Sequence, residues 1–217
     1  MQEKSEQQNR INSDQPVEFD LSGVKSYIIK LFTNELNPNL QYHSLNHTLN
    51  VEKAVSKYAA SENISETDTV LLRVAALFHD TGYIDQYHSN ESFAVNRLVS
   101  EAPNYGFRPI DISFISELIL STSRTRKPAN IFEKIICDAD HDYLGTKHYH
   151  LYAELLFTEL NLFSNKLSEK EWIIKQINYL QDEHKYHTQT AIKLRQKGKE
   201  LRIKELKDSL SSLNFKK

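Results

Sequence analysis

The sequence predicts a single all-α domain. Apolar residues recur at three- and four-residue spacing in one segment after another, which is the pattern of helices with one buried face. Only 5 Gly and 5 Pro occur in 217 residues, which argues for long helices joined by few tight turns. No segment alternates apolar and polar residues convincingly enough for a strand, and there is no internal repeat. The length suits one domain with a sizeable core.

Residues 1–20 are rich in Gln, Asn, Ser and Glu and read as a flexible polar arm. Gly23 to Leu36 carries Val24, Ile28, Ile29, Leu31, Phe32 and Leu36 at helical spacing, and Asn37-Pro38-Asn39 ends that helix. Ser44 is placed to cap a second helix whose inward stripe is Leu45, Leu49, Val51, Val55, Tyr58 and Ala59, with His47 in its first turn. Ser65-Glu66-Thr67-Asp68 offers a capping start for a third helix. That helix is an apolar run, Val70 to Phe78, ending in His79-Asp80. Gly82 follows as an expected C′ residue in left-handed conformation. Further helices are expected at Glu91–Glu101, Ile110–Leu120 and Ile131–Ala139, the last arriving at Asp140. Two more fall at about 147–163 and 168–183, and a final one runs from about Thr188 into a basic tail. Residues 21–183 are thus expected to form one helical domain. Residues 184–217 are expected to be a basic helical extension packed on it or trailing from it.

A formal net charge of −2 gives no global reason for nucleic acid or an anionic membrane as partner. Lys193, Arg195, Lys197, Lys199, Arg202 and Lys204 cluster near the C-terminus, and a solvated basic face is the favoured reading over nucleic-acid binding. Cys137 is the only cysteine, so no disulfide can form within the chain and a reducing compartment is expected. No apolar run approaches the roughly 18 residues of a membrane span. The first residues lack a signal-peptide core. A cytoplasmic location is expected, and homo-oligomerisation is left open.

His47, His79-Asp80 and Asp140 lie far apart in sequence, each at the start or end of an expected helix. A helical bundle can bring such ends around one ion. Two imidazoles and two carboxylates suit a borderline or hard divalent ion: Mn²⁺, Fe²⁺, Co²⁺, Ni²⁺, Zn²⁺ or Mg²⁺.

This H…HD…D order, within YHSLNHTLNV, AALFHDTGY, NESFAVNRLV, ILST and DADHDYLG, resembles the HD-domain superfamily of metal-dependent phosphohydrolases. The chain is most similar to its small bacterial members, and WIIKQINYLQDEHKYHTQTAIKLRQKGKE resembles their C-terminal part. The resemblance implies an HD-type helical bundle, metal ligands at His47, His79, Asp80 and Asp140, and hydrolysis of a phosphate ester of a nucleotide or similar small molecule. Asp80 through its free oxygen, or Glu91, would orient or deprotonate the attacking water. Arg124, Arg126 and Lys127 in STSRTRKP would neutralise the phosphate. Three positions depart from two-metal relatives: Asn90-Glu91 has no His, Ser121-Thr122-Ser123-Arg124 has none, and Tyr83 stands where some relatives have an acid. A single ion is therefore expected. The competing expectation is a non-catalytic module that senses a metal or nucleotide. His43, His88, His141, His148 and His150 read as surface or supporting residues, and Asp138 as a support behind Asp140. Tyr42, Tyr83 and Tyr143 adjoin the motifs and could shape the pocket or stack on a base.

Overall fold

The most apolar helix stands at the centre, and the rest of the chain is wrapped around it. In the computed structural model, which describes residues 19–214, this helix is α3, Glu66–Phe78. Ser65 caps it by accepting from the Asp68 N–H at 3.1 Å, which satisfies one of the donors a helix start leaves open. Leu71, Leu72 and every residue from Val74 to Phe78 are buried.

Before α3 come α1, Leu21–Glu35, and α2, Leu45–Ser61; after it come α4, Asn90–Glu101, α5, Pro109–Ser121, and α6, Ile131–Asp140. All five pack on α3 or on helices that do. Their inward residues, among them Ile28, Val55, Leu98, Ile115 and Ile135, form one continuous core with α3. The described residues contain no strand, as the helical periodicity required.

A second, smaller core follows. Helix α7, Tyr149–Phe163, packs with α8, Glu169–Asn178, which a single π turn, Tyr179–Glu183, extends. Tyr149, Trp172, Ile173, Ile177 and Leu180 are buried there. Helix α9, Gln189–Asn214, belongs to both cores: Ala191 lies in the first and Leu206 in the second. Two contacts fix it in place. Arg195 donates to both oxygens of Asp142, at 2.7 and 3.0 Å, in the fork geometry that suits a guanidinium. Gly198 lies directly against Gly145.

Of the expected N-terminal arm, residues 1–18 lie outside the described residues, as do 215–217 at the other end. Phe19 stacks on Phe107 with ring centroids 4.6 Å apart, and Asp20 caps α1 by accepting from the Gly23 N–H at 2.7 Å. Ser44 precedes α2 at the cap position without making a side-chain cap bond.

A methyl group on Gly198 would fall on the Gly145 carbonyl oxygen, well inside van der Waals distance. Gly198→Ala is therefore expected to push α9 off its seat and to lower stability by about 2 kcal/mol, the scale of overpacking, as read from urea unfolding.

Candidate metal centre and cavity

The C-terminal end of α3 brings two neighbouring side chains to one point. His79 is the last residue in helical conformation, with its N–H bonded to the Ala75 carbonyl at 2.9 Å. Asp80 leaves the cylinder at φ −100°, ψ 3°. That change of direction lets residues that would diverge on a regular helix converge. The Nδ1 of His79 lies 2.8 Å from the Ala76 carbonyl oxygen, so this nitrogen carries the proton and Nε2 presents its lone pair.

Gly82 is required here for a different reason from the one expected. Its φ is not positive; among the described residues only Gly106, Asn63 and Ser89 have positive φ. Instead, the Asn90 carbonyl at the start of α4 lies where a Cβ on Gly82 would be. The turn after the His-Asp pair is thus pressed against α4 by close backbone approach.

His47 enters from the first turn of α2, stacked on Tyr42 at 4.9 Å between centroids. Asp140 enters as the last residue of α6. Asp140 Oδ1 is 3.0 Å from His47 Nε2 and 3.6 Å from His79 Nε2. Asp80 Oδ2 is 3.4 and 3.2 Å from the same two nitrogens. One ligand atom from each of His47, His79 and Asp80 lies within 4.8 Å of the others. Both Nε2 atoms and Asp80 Oδ2 are buried without a hydrogen bond of acceptable geometry. A buried unpaired polar atom is costly, and three facing one another are the arrangement a cation satisfies. The cluster therefore fits a divalent ion. Asp140 borders the cluster, and Asp138, two residues back, does something else: it accepts from the His187 and Thr188 N–H groups at 2.8 and 2.7 Å. That clamp holds the segment leading into α9 behind the site.

Charge is balanced locally. Burial works against the imidazolium of His79, but the Asp80 and Asp140 carboxylates outweigh it and raise its affinity for protons. Burial likewise disfavours the Asp80 and Asp140 carboxylates. For Asp80, His79 is the main opposing influence, and for Asp140 it is His141 followed by His47 and His79; both carboxyls end below their ordinary range.

A cavity of about 780 Å³ opens onto Asp80 and Asp140. Glu91 lines it but is not a member of the ligand cluster. Asn90 is buried beside it with an unpartnered Oδ1. Arg124 and Arg126 stand at its exposed rim, paired with Glu183 and Glu117, each at 2.9 Å. Lys127, on the same loop, is exposed and lies outside the lining.

The geometry adds a pair that the sequence reading passed over. Glu159 of α7 is fully buried, yet it accepts from the N–H groups of Tyr42 and His43 at 3.0 and 3.2 Å and pairs with His43 Nδ1. His43 stacks on Tyr83 at 3.9 Å between centroids and lines the cavity, leaving Nε2 as its remaining ring nitrogen. One sequence signal was available: Glu159 follows Tyr152 and Leu156 on the inward stripe of α7, a position where an acid needs a partner.

A family model of the HD domain matches residues 44–143. Among solved structures, the fold is similar to the crystal structure of a predicted HD superfamily hydrolase from an uncultured Thermotogales bacterium, with TM-score 0.58. The two are 19% identical, over 89% of this chain and 92% of that one. A search of curated proteins gives no match.

His184 lies beside the site, its ring 5.2 Å from that of His141. Burial, then the neighbouring His141 and Lys199, push its pKa down to about 2. In the folded protein His184 therefore stays neutral while the unfolded chain takes up a proton below its ordinary pKa of about 6.5. Its contribution to stability is complete above that value and falls with pH below it, by about 1 kcal/mol between pH 7 and 5.5. In His184→Asn, where an amide oxygen can replace Nδ1 as acceptor for Lys199, the difference in unfolding free energy between these pH values should shrink by that amount.

Proposed function

We propose that this chain, whose residues 44–143 match a model of the HD domain and whose fold is similar to that of a predicted HD superfamily hydrolase, hydrolyses a small phosphate ester at one divalent ion. His47, His79, Asp80 and Asp140 would hold the ion. The observation that carries this is the set of buried, unpartnered atoms, His47 Nε2, His79 Nε2 and Asp80 Oδ2, meeting behind Asp80 and Asp140, which line a cavity large enough for a substrate. Ligand chemistry narrows the ion to Mn²⁺, Fe²⁺, Co²⁺, Ni²⁺, Zn²⁺ or Mg²⁺ without selecting one.

The bound ion supplies Lewis-acid polarisation of the phosphoryl group and acidifies water at neutral pH. The protein supplies the rest. Asp80 has a second carboxylate oxygen with which to orient and deprotonate the attacking water, and Glu91 on the cavity wall is the alternative base. As the water oxygen bonds to phosphorus, the ester P–O bond breaks and the leaving alkoxide needs a proton. His43 is built for that step. Glu159 holds its Nδ1, so Nε2 can deliver the proton to the leaving oxygen. Arg124 and Arg126 stand where phosphate could exchange with their present carboxylate partners. Lys127 would act only through the positive field of the same loop.

A second possibility is favoured by Asn90 and Tyr83, which occupy positions where a second metal or an added acid would help catalysis. In that case the same pocket binds a metal and ligand without turnover, as a sensor.

Two measurements separate these. Reconstitution with Mn²⁺ should load about one ion per chain. At a free ion concentration near 100 Kd it should raise the unfolding free energy by about 2.7 kcal/mol, and His79→Ala should abolish both effects. Turnover of phosphate esters in the loaded protein, lost at least 100-fold in Asp80→Asn, establishes the enzyme; unaltered binding with no turnover establishes the sensor. For His43→Gln, kcat should fall about 100-fold with an alkyl phosphate. The fall should be far smaller with p-nitrophenyl phosphate, whose leaving group departs without a proton. An equal loss on both substrates would remove His43 from the acid role.

A further inference from the structure

Resting on the phosphohydrolase reading above, we propose that the alcohol part of the substrate is an apolar hydrocarbon or aromatic group, seated in the arm of the cavity between α7 and α8. A nucleoside does not suit this arm.

The cavity that touches Asp80 and Asp140 continues between these two helices, where Ala153, Leu156, Leu160, Trp172 and Leu180 line it. Its volume of about 780 Å³ lies in the upper part of the range of small-molecule sites, far more than a phosphate and an ion require. Trp172 and Leu180 are members of the second core, and Leu156 and Leu160 pack on its edge while remaining only half-buried. The wall of that core is therefore open to the cavity, and a ligand hydrocarbon would finish its burial.

The buried polar atoms along the arm are already used. Tyr149 donates its hydroxyl to Gln176 Oε1 at 2.6 Å, and Gln176 Nε2 donates to the Trp172 carbonyl at 3.4 Å. His141 has Nδ1 at 3.0 Å from the Cys137 carbonyl oxygen and Nε2 at 2.8 Å from the Tyr179 hydroxyl. Glu159 is occupied by Tyr42 and His43. Apart from the Trp172 indole N–H, and Ser164 and Lys175 at the exposed edge of the lining, little is left to pair with the donors and acceptors of a base. A nucleobase in the arm would lose its water without replacement, which is penalised heavily. An alkyl or aryl group meets no such penalty and gains on the order of threefold in affinity for each methylene buried.

Trp172 is the only tryptophan in the chain, so its fluorescence reports on the arm whether or not turnover occurs. The full-length protein, with and without Mn²⁺, is titrated with ethyl, butyl, hexyl and octyl phosphate below their micelle concentrations, and with AMP. The expected result is a saturable change in Trp172 emission whose affinity rises about threefold per methylene over the first additions, with AMP at least tenfold weaker than octyl phosphate. Leu156→Gln and Ala153→Leu, the one adding polarity and the other filling space, should each weaken octyl phosphate about tenfold and leave ethyl phosphate unchanged. Melting curves identify which of the two is folded. Flat affinity along the series, or AMP binding as tightly as octyl phosphate, overturns the proposal. Phosphate release is measured on the same series in parallel. Chain-length-dependent binding without release from any ester supports the arm and overturns the phosphohydrolase reading. Release that is indifferent to chain length, with flat binding, supports hydrolysis and overturns the arm.

Discussion

Three buried polar atoms that face one another with no hydrogen-bond partner are the constraint around which this protein is arranged. Leaving such an atom unpaired costs on the order of 1–3 kcal/mol each, and both Nε2 atoms and Asp80 Oδ2 are in that condition. The apolar length of α3 places them there. A helix buried along most of its last nine residues fixes His79 and Asp80 with little freedom. The close approach of Gly82 to the Asn90 carbonyl then prevents the turn from relaxing outward. The same core that stabilises the fold thus holds the site in an unfavourable state that a cation would relieve.

Support for this arrangement comes from acids that do not touch the cluster. Asp138 ties the segment before α9 to the back of α6 through two backbone N–H groups. Asp142, on the turn just after α6, is gripped by Arg195 of α9 and by the Tyr58 hydroxyl of α2. Glu159 ties α7 to the chain just before α2. Each acid joins a late segment to a part of the chain at or next to a helix that carries a candidate ligand. The late helices therefore help to position His47 and Asp140 although they contribute no residue to the cluster.

Much of this was legible in the sequence because it is written in local signals. Helical periodicity places every helix of the first core to within a few residues, and Ser65 caps α3 as its spacing indicates. The order His47, His79-Asp80, Asp140 is legible because each falls at a helix end, and helix ends can meet. What escaped depends on contacts distant in sequence. Glu159 and His43 are 116 positions apart, and both lie outside the matched span 44–143, so only the fold pairs them. Gly82 was misread because sequence shows that a residue is glycine but not whether φ or close approach demands it. The rim arginines show the reverse case. Their charge is plain in the sequence, but their carboxylate partners Glu183 and Glu117 are not.

The two cores divide the work of the cavity. The first core sets the positions of His47, His79, Asp80 and Asp140, which three different helices bring together. The second core faces the other end of the cavity; its ties to the first run through Glu159 and Asp142, and the cavity-facing side chains Leu156, Leu160 and Trp172 are not among them. A fold organised this way can keep one polar cluster while the opposite wall of its cavity varies. Here that wall is made of Leu156, Leu160 and Trp172, and its polar neighbours Tyr149 and Gln176 bond to each other and not toward the cavity. The apolar character of the arm follows from how the second core satisfies its own polar atoms, independently of the polar cluster around His79.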